Sequence, residues 1–199
     1  LRASTPPPDP LKRAAATPAI LSMPPPLDPA VPYSYIVIST SNLIHDTPAP
    51  WNLQALCEHR SRSGLIPLIM PVEDIYACYT GNNNPEKIRA FLQEAHEIWG
   101  PRFLLIAGTF EMVPAQKLHL SITDFFTTRT VKIPADAIYY GCMEGSYDNN
   151  GNGNYGEITD GIDGGDVDLT AEIMVGRFPV ADQQELAHMV RKTIRYETA

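Results

Sequence analysis

The chain has 199 residues, 44% of them hydrophobic and 19% charged, which is long enough to bury the core of one domain of ordinary size. Its net charge of −8 excludes the basic footprint of a nucleic-acid-binding protein and argues against adhesion to anionic membranes. No apolar run approaches the length that spans a bilayer. The chain begins at Leu1 without a charged and apolar leader, so we expect a processed or truncated product.

The first 32 residues form a proline-rich segment. Ten of the 19 prolines lie there, which favours extended polyproline conformations over a packed core. The segment is therefore predicted to be either a linker or an arm that docks on a partner or another domain. The apolar patch at residues 19–23 makes docking plausible, and the sequence leaves both interpretations open.

Strands and helices alternate after Tyr33. The apolar runs 35–39 and 103–108 predict buried strands, and a further strand is expected at 65–70, where Pro67 favours an edge or a late entry into the sheet. Helices are predicted from Pro50 to Gly64 and from Pro85 to Gly100. Because the run at 103–108 is apolar throughout, it indicates a parallel α/β sheet covered by helices on both faces.

The second half predicts fewer regular elements. Residues 124–130 could form a small hairpin arm, and residues 137–140 and 173–177 are expected to be strands on either side of an acidic loop. Asp182, with Glu185 three residues later, is typical of a helix N-cap. The helix that follows would pack through its apolar residues, which are Leu186, Met189, Val190 and Ile194.

The acidic, glycine-rich loop at 148–172 has the composition of a calcium site. Asp148, Asn150 and Asn152 recur at every second position and Gly153 follows them, as in the first half of a Ca²⁺ loop. Thr159 stands where an EF-hand has its bidentate glutamate, so an ordinary EF-hand is not expected. The loop is predicted to bind at least one Ca²⁺; a flexible, solvated loop without metal is the alternative.

A nucleotide-binding function is not supported. Residues 151–156 match the spacing of the dinucleotide fingerprint, but they neither follow a buried strand nor open a helix, and carboxylates flank them. Residues 39–42, which follow the first strand, lack the glycines of a phosphate-binding turn.

The three cysteines, Cys57, Cys78 and Cys142, are too few and too widely spaced for a disulfide scaffold or a zinc site. Cys57 lies two residues from His59, but helix positions two apart do not face each other. Carboxylates near Cys142 should raise the pKa of its thiol and disfavour the thiolate. We therefore predict that none of the three is a nucleophile.

The order of the elements resembles the N-terminal subdomain of the gingipain family of cysteine peptidases, peptidase family C25. The resemblance runs from about residue 33 to residue 197. It rests on four segments, which are Leu104-Leu-Ile-Ala-Gly108 with Val113-Pro114 after it, Ala137-Ile-Tyr-Tyr-Gly141, Glu172-Ile-Met-Val-Gly-Arg177, and a closing helix that ends in Tyr196-Glu197. It implies a caspase-like, three-layer α/β/α fold with a mostly parallel sheet.

The resemblance also implies what the chain lacks. In the family the catalytic histidine lies in a Gly-His-Gly motif and the nucleophilic cysteine follows a later strand, both in a second subdomain. No Gly-His-Gly occurs here, so no catalytic residue is assigned. The implied function is that of the non-catalytic N-terminal subdomain of a secreted or cell-surface, calcium-stabilised cysteine endopeptidase. It would scaffold a catalytic subdomain, outside this chain, that cleaves protein or peptide substrates.

The family's calcium ligands map onto the turn before the Gly-Arg strand. Asp168 and Glu172 match the carboxylate ligands and Thr170 would supply a backbone carbonyl. Asp148, Asn150 and Asn152 belong to an insertion that is longer than in gingipains, and they are either a second set of ligands or part of a loop without metal. Thr109 follows Gly108 where gingipains usually have aspartate, which puts a second family calcium site in doubt.

The domain organisation follows from these assignments. We expect a proline-rich linker or arm at residues 1–32 and the α/β subdomain at residues 33–199. A non-enzymatic binding or assembly module in a larger complex remains the alternative function, since a fold does not fix a function.

Overall fold

Five described strands form a parallel sheet in the order β1-β3-β2-β4-β7. The computed structural model describes residues 19–20, 27–123 and 125–198. Of residues 19, 20, 122 and 123 it describes the backbone alone. The strands are β1 (Ala19–Ile20), β2 (Tyr35–Ser39), β3 (Pro67–Pro71), β4 (Phe103–Ala107) and β7 (Met174–Phe178). A separate antiparallel hairpin consists of β5 (Lys117–Thr123) and β6 (Thr128–Pro134).

The described helices are α1 (Ser41–Asp46), α2 (Leu53–Arg62), α3 (Val72–Cys78), α4 (Asn84–Trp99), α5 (Asp136–Tyr139) and α6 (Gln183–Glu197). Side-chain oxygens of Asn52, Asn83 and Asp182 accept hydrogen bonds from the first turns of α2, α4 and α6. The predicted cap at Asp182 is thus confirmed. Gly100 ends α4 in the left-handed region, at φ 61°, which glycine adopts without strain.

Two apolar clusters lie on opposite faces of the sheet. One joins alternate residues of β2, β3 and β4 to α3, α4 and α5, and the other joins the intervening strand residues to α1, α2 and α6. Since every residue of β2 and β3 is buried, the sheet is covered on both faces there. The predicted three-layer α/β/α fold is confirmed.

The strands at 35–39 and 103–107 form as predicted, and β4 lies between β2 and β7. Phe103 is only partly buried, whereas the other four residues of β4 are buried. The strand at 67–71 is not at an edge, because the two residues of β1 pair with it on its outer side. Pro67 is tolerated because it is the first residue of that strand.

Residues 137–140 are not a strand, contrary to the prediction. Residues 136–139 form α5, and Tyr139 and Tyr140 are buried in the cluster under α4. The chain leaves the hairpin near the carboxyl end of β4 and must return to the amino end of β7, so this short apolar segment crosses one face of the sheet as a helix. The predicted helix from Pro50 begins at Leu53 instead.

The predicted hairpin is longer than expected. Its strands cover 117–123 and 128–134, and the predicted segment 124–130 is the connection together with the start of β6. Asp124 lies outside the described residues. All seven residues of β6 are exposed.

Most of the predicted arm at 1–32 lies outside the described residues. Its last part contacts the domain: Leu27 is buried and its N–H donates to Glu94, and the carbonyl of Asp28 accepts from the indole of Trp99 at 2.7 Å. The domain boundary at residue 33 stays a prediction. None of the described helices combines the length and apolarity needed to cross a membrane.

Candidate functional site

The guanidinium of Arg89 organises the start of the acidic segment. Arg89 lies on α4, is 5% exposed, and donates to the carbonyls of Tyr139, Cys142, Glu144 and Gly145 at 2.7–3.0 Å. The guanidinium also lies 5.0 Å from the ring centroid of Tyr139 and 4.8 Å from that of Tyr147. Cation–π contacts and charge-assisted hydrogen bonds therefore fix the chain between α5 and residue 147.

Three carboxylates at the end of the acidic loop accept hydrogen bonds from the segment at residues 143–146. Glu172 accepts from the N–H of Met143 at 2.8 Å and Asp168 from the N–H of Glu144 at 3.3 Å. Asp166 accepts from the N–H and the hydroxyl of Ser146. Burial raises the pKa of Asp166, but these hydrogen bonds outweigh burial and lower it below the ordinary value.

The close approach of the two sides depends on Gly145. Its φ is 70°, and a Cβ there would lie 2.0 Å from the carbonyl oxygen of Asp166. Only glycine fits such a position. Tyr147 completes the closure, because its hydroxyl donates to the carbonyl of Asp168 at 2.5 Å.

The second predicted ligand set forms a separate turn. Asp148 accepts from the N–H groups of Asn152 and Gly153 at 2.9 and 3.0 Å. The side-chain oxygen of Asn150 also accepts from the N–H of Asn152, and that of Asn152 accepts from Asn154. The loop thus turns at the predicted residues, and their oxygens are occupied by backbone donors.

Asp160 is a buried carboxylate that the sequence did not single out as a ligand. It is fully buried; one carboxylate oxygen accepts from the N–H of Glu157, and the other has no hydrogen-bond partner among the described residues.

The predicted calcium ligands are only partly brought together. Asp168 and Glu172 accept hydrogen bonds from consecutive N–H groups, those of Glu144 and Met143. Thr170, which lies between them in the sequence, is exposed. Within the described parts of the chain, no three histidine, cysteine, aspartate or glutamate side chains gather as metal ligands. Ca²⁺ takes 6–8 oxygen ligands, so backbone carbonyls and water would have to supply most of them.

Arg177 of the Gly-Arg strand joins three elements. It forms a bidentate ion pair with Asp136 of α5 at 2.5 and 3.0 Å, and it donates to the carbonyl of Gly108 at 2.7 Å. Phe110 packs on its guanidinium. The Gly-Arg motif thus fixes the carboxyl ends of β4 and β7 against the helix that precedes the acidic loop.

None of the described strands pairs with the outer edge of β7. The N–H of Met174 and the carbonyl of Phe178 bond to the β4 side, so the backbone of Val175 and Arg177 faces away from the sheet. Met174 is 65% exposed, and no atom lies within 4 Å of the space that a side chain at residue 176 would enter. Further strands could join the sheet at this edge.

The surroundings of Cys57 and Cys142 disfavour the thiolate form. Burial raises the pKa of Cys57 to about 12, and burial together with the Asp168 carboxylate raises that of Cys142. The imidazole of His59 contacts Glu197, on the far end of α6, at 2.8 Å.

The fold and family follow from comparison with known proteins. The chain is similar to the crystal structure of the Arg-specific cysteine proteinase gingipain R, with 20% identity and a TM-score of 0.51 over 87% of this chain and 30% of that one. A second similar structure, described only as a protease, has 16% identity and the same TM-score over 83% of this chain and 28% of the other. These similarities define a gingipain-type α/β fold.

The sequence match is more specific than the structural ones. Residues 28–199 match peptidase family C25, so the chain belongs to that family. No curated protein sequence matches it. The chain spans less than a third of each similar structure.

Proposed function

We propose that this chain is the non-catalytic N-terminal subdomain of a secreted cysteine endopeptidase and that it supports a catalytic subdomain outside these 199 residues. The match to family C25 over residues 28–199 carries the proposal, together with the absence of a Gly-His-Gly motif from the sequence. A catalytic thiol needs a nearby imidazole as its base, and burial raises the pKa of the thiols of Cys57 and Cys142.

The open edge of β7 is the proposed docking site for the catalytic subdomain. The backbone groups of Val175 and Arg177 face outward there, and the exposed side chain of Met174 gives an apolar contact. A strand of the catalytic subdomain would extend the parallel sheet and hold the strand ends that carry the catalytic pair. Such support limits the motion of a catalytic geometry.

The amide protons of Val175 and Arg177 test this docking. Hydrogen exchange should be fast at both in the chain alone and slow in a complex with the downstream part of the same polypeptide. The amide of Met174, which bonds to the β4 side, is the matched control and should be protected in both. Unchanged exchange at Val175 and Arg177 in an active complex would contradict docking at this edge.

The chain alone should have no peptidase activity, and serine in place of Cys57, Cys78 or Cys142 should leave a reconstituted enzyme active. The physical reason is that burial raises the pKa of the thiols of Cys57 and Cys142, which disfavours the nucleophilic thiolate. Labelling with a peptidyl electrophile checks this. Modification of Cys142 with loss of activity would instead identify this chain as a catalytic one.

Calcium bound through Asp168, Glu172 and the carbonyl of Thr170 is part of the proposal. The support is that both carboxylates already lie together on the backbone of Met143 and Glu144. A bound Ca²⁺ would neutralise them and hold the turn that leads into β7. Secretion suits such a site, because extracellular modules bind Ca²⁺ with dissociation constants of about 10⁻⁴–10⁻³ M.

Calcium in hundredfold excess over its dissociation constant should stabilise the fold by about 2.7 kcal/mol, which raises the melting temperature by roughly 5–10 °C. The double variant Asp168→Asn and Glu172→Gln should lose this shift. Asp163→Asn, an exposed aspartate of the same loop, is the control and should keep it. Equal shifts in all three proteins, or no shift in any, would rule out this site.

A further inference from the structure

No described strand pairs with the outer side of β6. All seven residues of β6 are exposed, and Val131 and Ile133 are 39% and 40% exposed. On the same face of the hairpin Leu120 is 44% exposed, whereas Leu118 is buried in the core. This region therefore has both the geometry and the apolar surface for a third strand.

The register identifies the free backbone groups. The N–H of Ala135 donates to the carbonyl of Gln116, so the pairs 118–133 and 120–131 also exchange hydrogen bonds inside the hairpin. The intervening residues, Thr130 and Lys132 on β6, then point their backbone groups outward. On β5 the outward-facing N–H of His119 already has a partner, because it donates to the carbonyl of Tyr155 at 2.8 Å. The outer edge of β6 remains open along Thr130 and Lys132 in the described structure.

The hairpin is basic, whereas the chain segment that follows it is acidic. Its strands contain Lys117, His119, Arg129 and Lys132 and no carboxylate. Between Lys132 and Arg177 every charged residue is acidic. Along β6, Lys132 lies on one face of the ribbon, and Val131 and Ile133 lie on the other.

We propose that the outer edge of β6 binds an extended polypeptide segment with alternating apolar and acidic side chains, by strand addition. The segment pairs with the backbone of Thr130 and Lys132, its acidic side chains lie beside Lys132, and its apolar side chains lie beside Val131 and Ile133. A second copy of this chain does not fit, because β6 has Arg129 and Lys132 and no acidic side chain, so two β6 strands form no opposite-charge pair. The inference does not depend on the catalytic subdomain or on calcium.

A labelled peptide of alternating valine and glutamate, blocked at both ends, tests the proposal by fluorescence anisotropy with the 199-residue chain. It should bind about tenfold more tightly than the matching valine–lysine peptide. The net charge of −8 predicts the opposite order for non-specific attraction. Lys132→Glu should remove the preference for the acidic peptide.

Two controls separate strand pairing from simple charge attraction. Methylation of alternate peptide nitrogens should weaken binding about tenfold, since it removes the paired donors. Thr130→Pro should do the same, whereas Ser121→Pro, which faces outward on β5, should not. Binding that ignores methylation and Thr130→Pro, a preference for the lysine peptide, or no binding by the acidic peptide would each overturn the proposal. In the last case the basic residues would only protect the edge from self-pairing.

Discussion

Replacement of Arg89 by methionine is expected to destabilise the fold by about 3–5 kcal/mol, since each buried carbonyl left without a donor costs about 1–3 kcal/mol. Methionine keeps the apolar stem of the side chain but has no donor for the four carbonyls of residues 139–145. It also removes the cation that lies between the rings of Tyr139 and Tyr147. Urea unfolding, followed by circular dichroism, measures the loss.

Two variants control for the effect of Arg89. Arg102→Met removes an exposed arginine that contacts only the ring of Phe103, and it should cost less than about 1 kcal/mol. Arg89→Lys keeps the charge but not the planar fork of donors, so its cost should lie between the other two. Equal stabilities of Arg89→Met and Arg102→Met would show that the carbonyls find other partners.

Leu105→Asp should unfold the domain. Leu105 is in the middle of β4, is 6% exposed, and packs against α2 and α6 on one face of the sheet. A carboxylate there would be unpaired in an apolar core, at a cost of more than about 4–5 kcal/mol, which is comparable with the total stability of a small domain. Loss of the cooperative thermal transition and of near-ultraviolet circular dichroism would mark the result.

Leu120→Asp is the matched control for this substitution. Leu120 is also a leucine in a strand, but it is 44% exposed on the hairpin, so the charged side chain can remain in water. This variant should unfold at nearly the temperature of the original protein. A cooperatively folded Leu105→Asp variant would place the core elsewhere.

The sequence predicted the elements whose signals are local. The continuous apolar runs of β2 and β4 required burial on both faces, and Pro85 and the cap Asp182 marked where α4 and α6 begin. The short segment at 137–140 carried no such information, because four apolar residues suit a strand or one turn of a buried helix equally well. The segment forms a helix because it crosses one face of the sheet between the hairpin and the start of β7, and that position is not encoded in four residues.

The candidate site was less predictable because its contacts are distant along the chain. The resemblance to family C25, and not the spacing of the residues, pointed to Asp168 and Glu172. The sequence alone could not indicate that they would meet the N–H groups of Met143 and Glu144. Arg89 left one local signal: it stands on the apolar stripe of α4, next to Ile88 and three residues before Leu92, where an unpaired charge would be costly.

The four carbonyls around Arg89 converge on a positive charge as they would on a bound metal ion, but here the cation belongs to the polypeptide. Its supply does not depend on the concentration of any solute, so the backbone of residues 139–145 is ordered whenever α4 is folded. With calcium bound as proposed above, a chelator would act only on the carboxylate side of the loop, at residues 166–172. The order of residues 139–145 would therefore not depend on the ions in solution, whereas the order of residues 166–172 would change with them.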